Sequence, residues 1–423
     1  MSRPIVVGLD VGTSGVRCVT LDPSGETVAT AERRFANGEA RDPSAWAALA
    51  DETLAEVLAA AERDAIRAIA VDGTSGTLLA TCGRGNPLAP AMMYDDAVAD
   101  TQALDRVAHA APTDTAAHGA TSGLAKALVL QDVPGVVHLL HQADWIAARL
   151  TGCWDVSDEN NALKTGYDPV ARRWGDWIGS TGVRCALLPR VVPAGTPVAP
   201  LRREVAEQFG LRPTVQIVAG TTDGCASFLA TGASRIGDGV TALGSSLTLK
   251  ILSDRPIFSA EHGIYSHRIA GGWLVGGASN TGGKVLAAYF DADRLAALSE
   301  DIDPAREPLL DYYPLLANGE RFPHADPAMA PRLSPRPADE AEFLHELLAG
   351  IAAIEAEGYA RLAKLGAPAL RSLRSVGGGA GNAQWTAMRQ RALGAPFLTA
   401  RSSEAAAGVA HLALQSLQGR TAA

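Results

Sequence analysis

The chain has 423 residues, 47% hydrophobic and 20% charged, which at roughly 150 residues per domain suggests two large or three ordinary domains and excludes disordered and fibrous classes. A formal net charge of -9 removes the attraction that dominates non-specific nucleic-acid binding, so nucleic acid is not an expected partner. Cys18, Cys82, Cys153, Cys185 and Cys225 form no C-x-x-C pair. They suit neither a disulfide framework nor a zinc site, and a reducing cytoplasm is the expected location. No apolar run reaches the roughly 20 residues needed to span a bilayer, so no membrane association is expected.

The pattern opens with an apolar strand, Ile5 to Leu9, ending in Asp10 and the turn Gly12-Thr13-Ser14-Gly15. A strand from Val16 to Leu21 follows, then the turn Asp22-Pro23-Ser24-Gly25 and a third strand over Glu26 to Thr30. Asp42-Pro43-Ser44 starts a helix running through Ala60. Ile66 to Val71 is a strand ending in Asp72-Gly73-Thr74-Ser75-Gly76, and Asp144 to Leu150 is the end of a helix stopped at Gly152. Val215 to Val218 is a buried strand ending in Gly220-Thr221-Thr222-Asp223. Past Gly232 the opening arrangement returns: Val240 to Leu243, the turn Gly244-Ser245-Ser246, then Leu247 to Leu252, which suggests a duplicated fold. Ala330 to Pro337 is a surface connection, and Ala338 to Leu365 a long helix. Ser372 to Val376 is a last buried strand, followed by Gly377-Gly378-Gly379 and Asn382, and a helix near Ser403 to Leu417 closes the chain. Strands followed by helices indicate α/β layers.

Common nucleotide and hydrolase motifs are missing. None of the five lysines stands in a Walker A sequence, and there is no G-x-G-x-x-G after a strand, no G-x-S-x-G and no H-E-x-x-H. Asp10, Asp72 and Asp223 each end an apolar strand, where open α/β sheets place ligands, although any one alone also suits helix capping. Gly12-Thr13-Ser14 and Gly244-Ser245-Ser246 can cradle phosphate oxygens with backbone N–H and hydroxyl donors. Either alone is also explained as a plain hairpin turn; two such loops plus a triple-glycine loop point to a phosphate-bearing ligand.

This ordered set resembles the FGGY family of carbohydrate kinases, members of the actin-like ATPase superfamily. Gly8 to Ser14 is similar to the family's first phosphate motif and Thr241 to Ser246 to its second. Ala219 to Gly224 resembles the loop carrying the catalytic base, Gly377-Gly378-Gly379 with Asn382 and Trp385 the adenosine motif, and Glu404 to Gly408 the C-terminal helix. The resemblance implies an α/β fold of two ribonuclease-H-like domains with a cleft between them, residues 1–231 with 404–423 and residues 232–403. Many members carry Trp-x-Asp-x-Arg where this chain has Tyr94-Asp95-Asp96-Ala97-Val98, which lacks the arginine. The segments Asp72 to Thr77, Ser157 to Asn161 and Gly319 to Pro323 resemble the ribulokinase and xylulokinase-like branch of cyanobacteria and plastids, which implies a D-ketopentose, D-ribulose first.

The implied reaction is phosphoryl transfer from ATP with Mg²⁺ to a small-molecule sugar. Asp223 is the implied catalytic base and Asp10 the implied Mg²⁺ residue. Gly12, Thr13, Ser14, Gly244, Ser245, Ser246, Gly378, Gly379, Asn382 and Trp385 are the implied nucleotide residues, and Asp10, Ser75, Tyr94, Asp96 and Asp223 the implied sugar residues. Trp385 also suits a core position. The alternatives are a xylulokinase, an ATP-driven conformational protein of the same superfamily, and a sugar sensor. The sequence leaves the oligomeric state open.

Overall fold

The computed structural model describes residues 3–421. The chain forms two compact units. One comprises the residues up to Ala230 with His267–Ile269 and the stretch from Glu404; the other comprises Thr231–Ser266 and Ala270–Ser403.

The first unit opens as the meander read in the sequence: β1 (Ile5–Val11), β2 (Gly15–Leu21) and β3 (Thr27–Arg34), antiparallel neighbours throughout. Helix α1 (Pro43–Ala60) starts where Asp42 accepts the Ser44 N–H at 2.8 Å, with proline in the first turn, where a missing N–H costs nothing. Strand β4 (Ile66–Gly73) pairs parallel with β1, and β6 (Gln216–Thr222) pairs parallel with β4. With β5 (Pro197–Pro200) the sheet order is β5-β6-β4-β1-β2-β3. Helix α2 (Gln142–Thr151) ends at Gly152, whose φ of 83° closes its last turn, and α3 (Asp223–Ala230) follows β6 directly.

The alternation of strand side chains assigns the two faces of β1. Val7, Leu9 and Val11 share a core with Trp46, Leu54 and Val57 of α1. Gly8 lies between these positions, against the C-terminal helix Ala405–Thr421: a Cβ at Gly8 would stand 1.9 Å from the Ala406 carbonyl. The same helix presses on α3 through Gly408, where a Cβ would fall 1.8 Å from the Ala226 carbonyl. Two glycines thus let one helix lie almost backbone to backbone against β1 and the helix that begins at Asp223.

In the second unit, β7 (Asp238–Leu243) and β8 (Leu247–Ser253) form an antiparallel hairpin, β9 (Gly272–Ser279) pairs with β8, and β10 (Ser372–Val376) runs parallel to β7. A hairpin beside a parallel strand repeats the β2-β1-β4 layout of the first unit. Helix α4 (Glu340–Lys364), capped by Asp339 through the Glu342 N–H at 2.9 Å, lays Phe343, Leu347, Ile351 and Ile354 into the core. Helix α5 (Ala383–Leu393) packs beside it. The Gly319–Pro323 segment is an anchor. Phe322 is fully buried in space left by Gly277 and Gly358, and Glu320 accepts the Ser279 and Tyr313 hydroxyls and the Asn280 N–H. Among the described residues, no helix is long and apolar enough to cross a membrane.

Gly408→Ala places a methyl group against backbone that has no flexible end to yield. The expected result is a loss of about 3 kcal/mol or more, read from the urea midpoint; an unchanged midpoint would contradict the close-packed helix.

Candidate functional site

Parallel pairing sets Asp10 opposite Asp72 and Asp72 opposite Thr221, two residues before Asp223. Three carboxylates therefore gather at the carboxyl ends of β1, β4 and β6. Asp72 is fully buried and Asp10 is 4% exposed, whereas Asp223 is half-buried and its Oδ1 accepts the Gly224 N–H at 2.6 Å. Neither Asp72 oxygen accepts a hydrogen bond from another described residue, and Asp10 Oδ1 is buried in the same condition. Burial first, then the charges of Asp10 and Asp223, hold Asp72 well above the usual carboxylate range and favour its protonated form. Burial pushes Asp10 up to about 6, opposed by the Asp72 contact and by Arg17, whose Nη1 lies 3.7 Å away. Arg17 also pairs with Glu32 at 3.0 Å and Glu404 at 3.3 Å.

The turn between β1 and β2 is closed by the Gly12 N–H on the Gly15 carbonyl at 3.0 Å, leaving Thr13 and Ser14 exposed beside Asp10. Past Asp72 the chain turns at Thr74, whose N–H and hydroxyl both donate to Gln142 Oε1, at 3.0 and 2.8 Å. Ser75 follows, its hydroxyl buried and unpartnered among the described residues. The fully buried Lys126 ties this loop to the next. Its ammonium donates to the Gly76 carbonyl at 2.9 Å and the Met93 carbonyl at 2.6 Å, and the Met93 N–H donates to Asp96 Oδ2 at 2.7 Å. Ser75 and Asp96 are thereby held on two loops fixed by one lysine. Tyr94, 43% exposed, rides on the second loop.

Asp96 is paired with an arginine from elsewhere in the chain. Arg41, in the turn before α1, places Nη1 2.5 Å from Asp96 Oδ2 and holds that carboxyl below its usual range. The Ser157–Asn161 segment is internal bracing: Asn160 Nδ2 donates to Thr221 Oγ1 at 2.9 Å, fixing the end of β6. Asp158 accepts the Asn160 and Asn161 N–H groups, while burial and Asp144 push its carboxyl up to about 7.

In the second unit, Gly244–Ser246 connects the paired Leu243 and Leu247, and the Gly283 and Lys284 N–H groups donate to the Gly244 and Ser245 carbonyls at 2.8 and 3.2 Å. Because β7 and β10 are parallel, the glycine turn after β10 lies against this hairpin: Gly377 has φ 86°, and a Cβ there would meet the Leu243 carbonyl at 2.8 Å. Hairpin and glycine turn are thus brought together, with Gly378 exposed. Below them Thr241 Oγ1 donates to Glu355 at 2.6 Å. The buried Arg389 bonds Glu355 through Nε and Nη2 at 2.5 and 2.8 Å, and Ser375 at 2.9 Å.

Two expected adenine residues are engaged differently. Trp385 is 2% exposed, its Nε1 donates to the Leu348 carbonyl at 3.1 Å, and its ring lies under Gly379, so it is core supporting the turn from beneath. Asn382 caps α5, accepting the Trp385 N–H at 2.9 Å, while Nδ2 donates to Ser299 Oγ at 2.8 Å. An Asn immediately before a helix, accepting the N–H of the helix's third residue, is an N-cap signature, and it accounts for the place of both residues. Sequence reasoning gave no role to Lys126 or Arg41 and no site role to Asp72; only the strand-end position of Asp72 offered a signal.

Residues 239–417 match the FGGY family of carbohydrate kinases, C-terminal domain. The match spans the second hairpin, the glycine turn and most of the C-terminal helix. The second unit is thus similar to the C-terminal domain of that family. It is 27% identical over 353 residues to a xylulose kinase of Klebsiella pneumoniae, covering 76% of this chain and 71% of that protein. A gluconokinase of Bacillus subtilis is 27% identical over 174 residues, 36% of this chain and 34% of that protein. In fold the chain matches the crystal structure of a xyloylose kinase from Brucella ovis with a TM-score of 0.87, 23% identity and coverage of 98% of this chain and 91% of that one. The fold is thus the two-domain fold of FGGY sugar kinases.

Burial, helped by the charge of Lys164, pulls the Lys126 ammonium down to about 8. Between pH 8 and 10.5 the unfolded chain then binds a proton that the folded chain does not, so folding stability gains as pH rises through that window. Relative to Lys126→Met, the wild type is expected to gain up to about 1.4 kcal/mol per pH unit there, measured by urea unfolding across pH; parallel curves would contradict a buried ammonium.

Proposed function

We propose that this chain is an FGGY-type carbohydrate kinase that transfers the γ-phosphoryl group of ATP to a ketopentose, with Asp223 as general base. The observation that carries the reading is the gathering of Asp10, Asp72 and Asp223 at three adjacent strand ends, with Asp223 the most accessible. A carboxylate at such a strand-to-helix junction can accept the proton of a sugar hydroxyl while the hydroxyl oxygen attacks phosphorus. The Gly12, Thr13 and Ser14 turn supplies donors to phosphate oxygens from the first unit. Gly244, Ser245, Ser246, Gly378 and Gly379 serve the nucleotide from the second, where exposed backbone can approach it closely.

Mg²⁺ fits this donor set. Asp10 Oδ1 is a buried carboxylate oxygen without a partner, the ligand type a hard cation takes, and Mg²⁺ characteristically uses one or two carboxylates with phosphate oxygens and water. When bound it neutralises charge on the phosphates, while Asp10 orients it.

The sugar is assigned to the Ser75 and Asp96 loops. The unpartnered Ser75 hydroxyl, the Arg41–Asp96 pair and Tyr94 offer hydrogen-bonding groups to a polyhydroxy chain, and a site built to pair a hydroxyl rejects analogues that leave its own groups unpaired. D-Xylulose is favoured by relatives named xylulose kinase. D-Ribulose is favoured by the Asp72–Thr77 and Ser157–Asn161 patterns.

A coupled ADP-release assay over D-xylulose, D-ribulose, L-ribulose, ribitol and glycerol tests the substrate class. One of the two D-ketopentoses is expected to give the highest kcat/KM, and ADP release indifferent to every sugar would overturn the kinase reading. Asp223→Asn is expected to lower kcat by about 10²-fold or more with the KM for ATP nearly unchanged. Wild-type turnover in that variant would remove Asp223 from the role of base.

A further inference from the structure

The second unit carries a different set of side chains at the other end of its sheet. Strands β7 and β10 run parallel with Asp238 opposite Ser372, so their amino ends lie away from the Gly244 and Gly377 turns that follow their carboxyl ends. A cavity of about 460 Å³ opens at these amino ends, lined by Arg235, Arg371, Arg374, Arg401, Asp238 and Ser372 among others. Four guanidinium groups around one carboxylate stand out in a chain with a net charge of -9.

The one carboxylate is already engaged. Asp238 Oδ2 accepts the Ser234 and Arg235 N–H groups at 3.1 Å each, and Oδ1 accepts the Ser372 hydroxyl at 2.8 Å. It approaches Arg374 Nη1 only to 3.6 Å. Arg374 is 13% exposed in its side chain, and its Nε is buried without a hydrogen-bond partner. Among the described residues, no carboxylate lies within ion-pairing distance of Arg235, Arg371 or Arg401. Arg374 Nη1 also donates to the Ser372 hydroxyl at 3.4 Å, so its Nε and the forks of Arg235, Arg371 and Arg401 are the donors left for a ligand.

We propose that this cavity binds a small phosphorylated metabolite, its phosphate held by Arg374 and the surrounding arginines. Guanidinium forks match the tetrahedral oxygens of phosphate in a two-point fashion that lysine does not reproduce. The volume falls in the range of small-molecule sites, about 300–1,000 Å³, more than a bare oxyanion fills, and an ester gives the remaining space an occupant. The site is separate from the candidate catalytic residues, and its test does not depend on which sugar the enzyme phosphorylates.

The experiment is calorimetric titration of the full chain at fixed ionic strength, with sugar and a non-hydrolysable ATP analogue saturating the candidate active site. The probes are ribose 5-phosphate, inorganic phosphate and ribose. Ribose 5-phosphate is expected to bind, ribose not to bind, and inorganic phosphate to bind at least ten-fold more weakly than the ester. Arg371→Ala and the double variant Arg235→Ala/Arg401→Ala are each expected to weaken the ester at least ten-fold while leaving KM for ATP and for the sugar unchanged. No binding of the ester, equal affinity for inorganic phosphate, or an affinity unmoved in both variants would overturn the proposal.

Discussion

Three carboxylates brought to the ends of adjacent parallel strands repel one another, two of them, Asp10 and Asp72, also lose their water, and the first unit is built around that difficulty. The pairing of β1, β4 and β6 leaves no choice of neighbour, because Asp10 and Asp72 are partners in register. Burial favours the protonated form of Asp72, the most buried member, and Arg17 lies near Asp10. The helix at Asp223 then has to be held at a fixed distance. Gly8 and Gly408 do this by letting the C-terminal helix touch β1 and α3 with no side chain between them. A pocket that pairs an accessible carboxylate with two suppressed ones can take up a proton at one site and meet a cation at another.

The second unit solves a different problem, holding exposed backbone in a chosen shape. The Gly244–Ser246 hairpin and the Gly377–Gly379 turn have few side chains of their own to fix them. Rigidity comes from below, from Trp385 under Gly379 and from the buried Glu355–Arg389 pair that reaches Thr241 on β7 and Ser375 on β10. A buried ion pair is costly to desolvate, and satisfying it on both strands turns that cost into a fixed spacing between the two loops. The same parallel pair of strands carries the arginine-lined cavity at its opposite end.

Local pattern was enough for most elements. The meander, the proline-started α1, the long α4 and the repeated hairpin all follow from short-range rules: alternation in strands, caps at helix starts and glycine in tight turns. The strand-end aspartates were legible for the same reason, since an apolar run broken by Asp with glycine one or two residues later marks where a buried strand meets the surface. Trp385 and Asn382 show the limit. Their spacing suited both a ligand contact and a capped helix with a buried face, and the packing of α5 against α4 put the indole inside.

The sequence by itself determined the order of elements, the two phosphate-type turns and the set of strand-end aspartates, because each depends on residues within about ten positions of one another. Tertiary structure alone decided which of those groups meet. Arg41 completes Asp96 across 55 residues of chain, and Lys126 joins the Gly76 and Met93 loops from 50 and 33 residues away. Their long side chains are as much at home on a solvated surface as in a core. Only the sheet order, which sets which loops become neighbours, converts Lys126 into a buried clasp and brings Arg41 to Asp96.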